Sequence, residues 1–442
     1  MRAPIARNLR LPMILHRAHL LSSAGPQRLW EVVDGGLLVD NGRILGAGPF
    51  EALRTQHPGA AVQDLRPLWI LPGLVDAHTH LPQLGAVAED GLELLPWLER
   101  FIFPAEEAFA DVKHAARAAK AFFAEALSWG TTTVVAYGTI HAEATDAAFQ
   151  AAERCGIRAV LGQVLMDRHA PPALTQDTEG ALAESESLIR AWQGRDHGRL
   201  GYALSPRYAP VCSPALMRGA ARLMDHYGVH LQTHLAENPD EIAWVARLFP
   251  EAASYTDVYR RHGLLGPRTL LGHGIHLSPA ERELIRDSGA VIVNCPSSNA
   301  FLKSGVMPTR RWREEGLKLA LGTDVGAGPE LSMWREMAAA CTVSKLRSAL
   351  LQEQETAVGP VEAFWLATLG GAEALGFAER IGSLEPGKDA DFILVDPAVV
   401  DPTLPDPNAP RESTAEEVLS RLIYRAERSM VKGAWVQGRK CH

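Results

Sequence analysis

The strongest constraint on the fold is a repeated alternation of strand-like and helix-like segments through the middle of the chain. Eight short apolar runs are separated by Ala-rich amphipathic stretches that have the period of a helix. Strands that alternate with helices form parallel sheets, because each return crossing is made by a helix. The runs cover residues 71–80, 131–137, 158–166, 200–205, 229–234, 269–273, 290–294 and 317–322, and clear helical stretches lie at 112–129, 145–155, 179–192 and 214–227.

This alternation predicts an α/β protein with a distorted (β/α)8 TIM barrel, which has the same number of β/α units. An open, doubly wound sheet is the alternative, but it needs a Gly-rich phosphate-binding turn after its first strand. No such turn follows residues 71–80. The barrel is therefore the favoured architecture.

Both ends of the chain have the texture of β structure instead. Residues 11–67 show short alternating runs, and Asn41-Gly42 is a strong hairpin signal because both turn positions need positive φ. Near the other end, residues 387–395 and 430–437 are predicted to be strands.

The tail between these last two strands is predicted to hold a Pro-rich loop at 396–410. A short helix should follow, since Ser413 and Glu416 have the spacing of a capping box. Strands at the two ends of a barrel most simply pair with each other, so both ends should join in one small β-sandwich domain. The predicted domains are a discontinuous β domain of 1–68 and 380–442 and a metal-dependent catalytic barrel of 69–379.

Composition excludes several classes of partner. The 442 residues carry a net charge of -8, with a pI near 6.1, which gives no basic footprint for nucleic acid. No apolar run approaches the ~18 residues of a membrane helix, and residues 1–13 lack the apolar core of a secretory signal. The five cysteines form no C-x-x-C pair. We therefore expect a cytoplasmic protein that binds neither nucleic acid nor membrane.

Histidines and one carboxylate stand where the predicted strands end, at the rim that carries the chemistry of TIM barrels. His78 and His80 are one residue apart on a strand, so their side chains point to the same side. The fifth, sixth and eighth strands end at His234, His273 and Asp324. Three or four nitrogen and oxygen ligands with an open position are typical of a catalytic zinc site.

Two neighbouring histidines are expected to have structural roles. His230 lies four residues before His234, about 13 Å along a strand, which is too far to share an ion. His276 is better placed to cap a loop. Asp324 would also suit a turn before a helix, but its position after the eighth strand favours the site.

Several motifs resemble those of the amidohydrolase superfamily. They are PGLVDAHTH at 72–80, His234, His273, GTD at 322–324 and GSLEPGKDAD at 382–391. The resemblance implies a hydrolytic metal site on a TIM barrel. Members with two metal ions need a carboxylated lysine near the end of strand four, and no lysine lies between Lys120 and Lys303. One zinc ion per subunit is therefore expected, with the ligands His78, His80, His234 and Asp324.

Finer motifs resemble the guanine deaminase family within that superfamily. They are HLPQ at 80–83, LPWL at 95–98, FPAE at 103–106, GTTT at 130–133, SPRY at 205–208, HLAEN at 234–238 and GTDVGAG at 322–328. Pro96 departs from the family, whose members often carry an acidic residue there, but it touches no predicted catalytic position. The resemblance implies hydrolysis of guanine to xanthine and ammonia, in a protein that commonly forms homodimers.

The resemblance also implies catalytic roles. Zinc would lower the pKa of its bound water toward ~7, which makes a nucleophile available at neutral pH. Glu237 would contact the substrate and protonate a ring nitrogen while the amino-bearing carbon is attacked. Asp324 would take a proton from the water, and His273 would orient or polarise it.

Four further residues are implied to bind the substrate. Gln83 and Arg207 would read the edge of guanine, because an amide offers a donor and an acceptor and a guanidinium offers a planar fork. Trp97 and Tyr208 would form apolar walls over the ring. Trp97 fits a packed helix equally well, since apolar residues recur around it.

Two other functions suit the same residues. The first is a different reaction at this metal site, such as deamination of a pterin, triazine or adenosine-type substrate or displacement of halide from a triazine. The second is a catalytically silent zinc scaffold for protein association, against which the complete ligand set and Glu237 argue. The cytidine-deaminase design is excluded, because the sequence has no P-C-x-x-C.

Overall fold

The computed structural model describes residues 12–352, 357–401 and 413–442. Residues 1–11 and the part of the predicted Pro-rich loop that follows residue 401 lie outside the described ranges. The strands of the described residues are β1 (Ile14–Gly25), β2 (Arg28–Asp40), β3 (Arg43–Pro49), β4 (Ala61–Pro72), β5 (Leu74–His80), β6 (Thr131–Tyr137), β7 (Arg158–Gly162), β8 (Val164–Leu165), β9 (Leu200–Pro206), β10 (His230–Leu235), β11 (Thr269–His273), β12 (Val291–Asn294), β13 (Lys318–Leu321), β14 (Phe392–Val395), β15 (Val431–Val436) and β16 (Arg439–Lys440).

The α-helices of the same residues flank the barrel strands or follow them. They are α1 (Phe50–Gln56), α2 (Leu94–Trp97), α3 (Phe103–Glu107), α4 (Val112–Ser128), α5 (Ala142–Cys155), α6 (Thr178–Trp192), α7 (Arg195–Gly198), α8 (Pro214–Tyr227), α9 (Pro239–Leu248), α10 (Tyr255–Arg261), α11 (Pro279–Ser288), α12 (Pro296–Phe301), α13 (Thr309–Glu314), α14 (Met333–Leu351), α15 (Pro360–Leu366), α16 (Leu369–Ala374) and α17 (Ala415–Tyr424). A π-helical turn at Leu98–Ile102 connects α2 to α3. None of these described helices is long and apolar enough to cross a membrane.

Eight strands form a nearly closed parallel barrel in the order β5-β6-β7-β9-β10-β11-β12-β13, with the short β8 beside β9. Hydrogen bonds also connect the first strand to the residues after the last. The backbone N–H of Asp324 donates to the carbonyl of His78 at 2.8 Å, and the Asp76 carboxylate accepts from the N–H and hydroxyl of Thr323 at 3.0 and 2.5 Å. The predicted TIM barrel is confirmed.

The barrel strands contribute mostly small and β-branched side chains to one buried apolar cluster. Eight strands leave an interior just wide enough for side chains to pack, so compact residues suit these inward positions. Larger aromatic side chains pack in the outer core cluster, as Phe122 and Phe123 of α4 do. The buried interior residues from the strands are Val75, Ala77, Val135, Val160, Ala203, Leu270, Val291, Val293 and Ala320.

A second, mixed sheet is built from both ends of the chain, in the order β16-β15-β14-β4-β1-β2-β3. Strand β14 pairs antiparallel with β4, with Ile393 opposite Leu71, so the predicted union of the two ends is confirmed. Between β2 and β3, Asn41 and Gly42 have φ values of 48° and 82°, as the hairpin signal predicts. The domain borders at 68/69 and 379/380 stay predictions.

The apolar run 71–80 is two strands rather than one. Gly73 separates β4 of the mixed sheet from β5 of the barrel. Its N–H donates to the Asp391 carbonyl in the mixed sheet, whereas the next N–H, of Leu74, donates to the Gly130 carbonyl beside the barrel. A Cβ atom at Gly73 would lie 1.9 Å from the Thr132 hydroxyl, so only glycine fits at this crossing.

Two local predictions are also wrong in detail. The run 158–166 is divided into β7 and β8, because the N–H of Gln163 donates to the side-chain hydroxyl of Tyr202 on β9 instead of a backbone carbonyl of that strand. The capping box lies one residue later than predicted, at Thr414 and Glu417, each of which accepts a hydrogen bond from the backbone N–H of the other.

An ion cluster with a buried centre joins the barrel to the mixed sheet at the amino end of β7. Arg158, the first residue of that strand, donates from Nε to Asp391 at 2.9 Å and from Nη2 to Asp389 at 2.8 Å. Arg43 and Arg380 also donate to Asp389, at 2.6 and 2.7 Å. We name these five residues the Arg158 cluster.

Candidate active site

The predicted metal ligands meet at the carboxyl ends of the barrel strands. His78 and His80 lie on β5, His234 on β10, His273 at the end of β11, and Asp324 three residues after β13. Ligand atoms of His78, His234, His273 and Asp324 all lie within 4.8 Å of one another. His80 joins them, because its Nε2 lies 3.2 Å from His234 Nε2 and 3.1 Å from Asp324 Oδ1.

The rings of this cluster suit a cation. The Arg207 carbonyl lies 2.6 Å from His234 Nδ1 and can only accept, so that nitrogen carries the proton and Nε2 of the neutral ring presents a lone pair. Nε2 of His78 is buried 3.4 Å from Asp324 Oδ1 without hydrogen-bond geometry, and no described residue is its hydrogen-bond partner. Such unpartnered nitrogens beside a buried carboxylate are what a metal ion would satisfy.

Burial keeps two of the imidazoles neutral, which is the form that binds metal. It lowers the pKa of His78 to about 4 and that of His234 well below the ordinary value. His273 behaves differently: burial alone would lower its pKa, but the carboxylates of Glu237 and Asp324 raise it. His273 therefore differs from His78 and His234 in the direction of its pKa shift.

Asp324 is held as an anion in a strained position. Burial alone would raise its pKa, but the neighbouring imidazoles of His78 and His80 hold the pKa well below its ordinary range. The Ser298 hydroxyl donates to its Oδ2 at 2.6 Å. Both Asp324 and His273 have positive φ, 47° and 66°, a region that non-glycine residues rarely adopt.

A short helix orients His273. Asn299 of α12 donates from Nδ2 to Asn294 Oδ1 at 3.2 Å, so its own Oδ1 accepts from His273 Nδ1–H at 2.8 Å. Nε2 of His273 is thereby directed at the site, 3.4 Å from Glu237 Oε2 and 3.7 Å from Asp324 Oδ2.

Glu237 is a buried carboxyl group beside this cluster. Burial raises its pKa to about 7, so it can hold a proton near neutral pH. The Ser304 hydroxyl donates to its Oε1 at 3.1 Å. Glu241 holds the backbone in place by accepting from the N–H groups of Glu237 and Asn238 at 2.9 and 3.3 Å.

One pocket opens onto the cluster and brings the predicted substrate residues together. Gln83, Trp97, Arg207 and Tyr208 line it along with Glu237. Trp97 also donates from its indole N–H to the Glu89 carbonyl at 2.9 Å, so it combines packing with a place in the wall. The complete lining is His80, Gln83, Leu94, Trp97, Leu98, Arg207, Tyr208, His234, Glu237, Glu241, His273, Leu302, Asp324 and Ala327.

The predicted structural histidines lie outside the pocket. His230 Nε2 lies 3.0 Å from the Leu375 carbonyl, and His276 Nε2 lies 2.8 Å from the Ser304 carbonyl. Sequence reasoning missed the residues that position the site, although Glu106 lies in one of the motifs it singled out. These residues are Glu106, Glu241, Ser298, Asn299 and Ser304.

The fold and the site define a TIM-barrel protein with a His/Asp cluster that could hold a metal ion at the carboxyl ends of its strands. The chain belongs to the amidohydrolase family, whose sequence profile, described as "Amidohydrolase family", matches residues 69–441. A second profile, "Imidazolonepropionase-like composite domain, bacteria", matches residues 35–60.

Similar proteins are known over most of the chain. The guanine deaminase of Escherichia coli (strain K12) is 39% identical over 368 residues, which cover 83% of this chain and 82% of that protein. The crystal structure of guanine deaminase from C. acetobutylicum with bound guanine superposes with a TM-score of 0.91 at 30% identity, covering 97% of this chain and 99% of that one. An adenosine deaminase structure from Xanthomonas campestris with bound zinc has a TM-score of 0.83 at 29% identity, covering 97% and 92%.

Proposed function

We propose that this protein is a guanine deaminase, which hydrolyses guanine to xanthine and ammonia. The observation that carries the proposal is a single pocket in which the His/Asp cluster, a buried carboxyl group and the Gln83 and Arg207 pair face the same space. The similar proteins that are named guanine deaminases support it.

We propose His78, His80, His234 and Asp324 as the ligands of one zinc ion per subunit. The unpartnered Nε2 of His78, the lone pair of His234 Nε2 and the 3.1 Å approach of His80 to Asp324 support this set. Zinc in such a site activates a water molecule as a nucleophile near neutral pH.

The protein's own groups would move the protons. With a pKa near 7, Glu237 can deliver a proton to a ring nitrogen of guanine, which prevents negative charge from accumulating on the ring when the amino-bearing carbon is attacked. Asp324 Oδ2 would accept the proton that the attacking water gives up. His273, fixed by Asn299, would orient that water through Nε2.

The substrate would lie between Gln83 and Arg207 at its edge, with Trp97 and Tyr208 as walls. All four side chains are buried and line the pocket. An aromatic wall suits a flat heterocycle, and a guanidinium suits its carbonyl oxygen.

The test is a steady-state assay of purified protein with guanine, in which xanthine and ammonia should form in equal amounts. Glu237→Gln should lower kcat by about 10²- to 10⁴-fold, the range for one lost proton transfer, with zinc still bound. A fully active Glu237→Gln variant would contradict the acid role. Turnover of pterins or adenosine but not guanine would favour another heterocycle, and bound zinc without any turnover would favour a scaffold.

We also propose that the protein acts as a homodimer in the cytoplasm. Light scattering of the purified protein after size-exclusion chromatography should give a molecular mass twice that of the 47.9 kDa chain. A stable monomer at assay concentration would refute the dimer. Cell fractionation, with the protein in the soluble cytoplasmic fraction, tests the location.

A further inference from the structure

The carboxylate of Glu106 contacts both residues that would read the substrate edge. Glu106 lies on α3 with 2% of its surface exposed. Nη1 of Arg207 donates to its two oxygens at 2.7 and 2.5 Å, and Nε2 of Gln83 donates to Oε1 at 3.1 Å.

The ion pair fixes which way the Gln83 amide faces. A carboxylate paired with a guanidinium can only accept hydrogen bonds, so the NH2 group of Gln83 must face Glu106. Its Oε1 then faces away, against Gly326, where an added Cβ atom would lie 2.4 Å from that oxygen. Among the described residues nothing donates to this oxygen, and Gln83 lines the pocket, so Oε1 is available as an acceptor.

Arg207 has the opposite polarity. Its Nη1 is occupied by Glu106, while Nε and Nη2 have no hydrogen-bond partner in the described part of the chain. A guanidinium can only donate. The pocket therefore presents a fixed donor from Arg207 beside a fixed acceptor from Gln83, and the same carboxylate sets both.

Given the proposed function, we propose that Glu106 is a positioning residue that sets the substrate class. It makes the pocket select heterocycles with a carbonyl oxygen next to a ring N–H, as in guanine. It disfavours rings with an amino group next to an unprotonated nitrogen, as in 2,6-diaminopurine, because each hydrogen bond would then pair two donors or two acceptors.

The test compares two substitutions of Glu106 that differ in polarity. The amide of Glu106→Gln has one accepting oxygen, which the Arg207 guanidinium requires, so its NH2 group must face Gln83. The Gln83 amide must then turn over and present NH2 to the pocket. Glu106→Asp keeps a carboxylate and hence the original polarity.

The measured quantity is the ratio of kcat/KM for guanine to kcat/KM for 2,6-diaminopurine. Glu106→Gln should lower this ratio at least about 10-fold, because one buried polar group of the pocket is then left without a matching partner on guanine. Glu106→Asp should keep it within about 3-fold of the wild-type ratio, even where both kcat/KM values fall. Zinc content and melting temperature, measured for each variant, establish that folded protein is being compared.

Other outcomes separate the two proposals. If wild-type protein does not turn over guanine, the proposed function fails. If it does, an unchanged ratio in Glu106→Gln, or an equal change in Glu106→Asp, overturns the positioning role alone. If Glu106→Gln does not fold, Gln83→Leu is the second test, because it removes the Gln83 acceptor and leaves the Glu106–Arg207 ion pair. Gln83→Leu should lower the ratio by a similar factor. An unchanged ratio in that variant also overturns the proposal.

Discussion

Two buried groups of ionisable side chains lie at opposite ends of the barrel strands, and they differ in how far they satisfy each other. In the Arg158 cluster, every oxygen of Asp389 and Asp391 accepts a hydrogen bond, the last from the Gln437 N–H at 2.8 Å. In the His/Asp cluster, His78 Nε2 lies 3.4 Å from Asp324 Oδ1 and has no hydrogen-bond partner among the described residues. Buried polar groups are rarely left in that condition.

The difference separates a structural cluster from a functional one. Charges that balance each other hold two parts of the chain together, and nothing further is required of them. Unpartnered nitrogens around a carboxylate cost stability until a ligand binds, and they are tolerated where a ligand is the purpose. Changes at the amino end should therefore affect stability, and changes at the carboxyl end should affect activity.

The largest effect is expected from Asp324→Asn, which removes the negative charge of the proposed metal site. Activity on guanine should fall by more than the ~10²- to 10⁴-fold of one lost proton transfer, because metal is lost as well. Elemental analysis should find less than one zinc per chain, and the metal-free variant should unfold within about 1 kcal/mol of the metal-free wild type. Glu237→Gln is the matched control, since it should lose activity and keep the metal. Full zinc content in Asp324→Asn would contradict its role as a ligand.

Arg158→Met should have the reverse profile. It leaves the buried carboxylate of Asp391 without a cation, while Asp389 keeps Arg43 and Arg380, so the free energy of unfolding in urea should fall by about 3–5 kcal/mol. The control is Arg195→Met, whose ion pair with Glu153 is partly exposed, and it should cost about 0–1 kcal/mol. If both variants lost equal stability, or if Arg158→Met mainly lost kcat, the assignment of the two clusters would be reversed.

The sequence predicts the parts of the site that depend on periodicity. His78, His80, His234, His273 and Asp324 could be found because strand ends meet at one rim of any TIM barrel, whatever the loops do. The union of the chain ends was predictable on similar grounds, since strands flanking a barrel have few other partners.

Residues that depend on the path of a loop could not be found in this way. Glu106 lies in a segment of short helical turns after β5, and no strand or helix period places it beside Arg207. Asn299 contacts His273 from α12, a short helix that follows β12 directly, and no strand or helix period shows which residue of that helix makes the contact. The break at Gly73 was missed because an apolar run looks the same in one strand or in two.

A smaller effect is expected at Asn299, which positions a residue of the functional cluster without belonging to it. Asn299→Ala removes the acceptor for His273 Nδ1–H, and losses of such supporting contacts typically cost about 10- to 100-fold in activity or metal affinity. Asn299→Asp keeps an acceptor there and should lose less. Steady-state kinetics with zinc analysis measures both variants. Equal losses in the two would mean that Asn299 matters for packing rather than for the orientation of His273.

The smallest effect concerns the pH dependence of the Arg158 cluster. Burial would raise the pKa of Asp389, but the Arg158 and Arg380 guanidinium groups hold it below its ordinary value. A depressed pKa stabilises the fold fully above the unfolded value of about 4, and the contribution disappears as pH falls through the folded value. One carboxylate can supply a slope of at most about 1.4 kcal/mol per pH unit.

The stability gap between wild type and Arg380→Met should thus be constant at pH 5–7 and close below pH 4. In an Asp389→Asn background, the effect of Arg380→Met should no longer vary with pH. If the effect of Arg380→Met still varied with pH in that background, a group other than Asp389 would be titrating. The charges around Asp389 would then not be what holds the two sheets together.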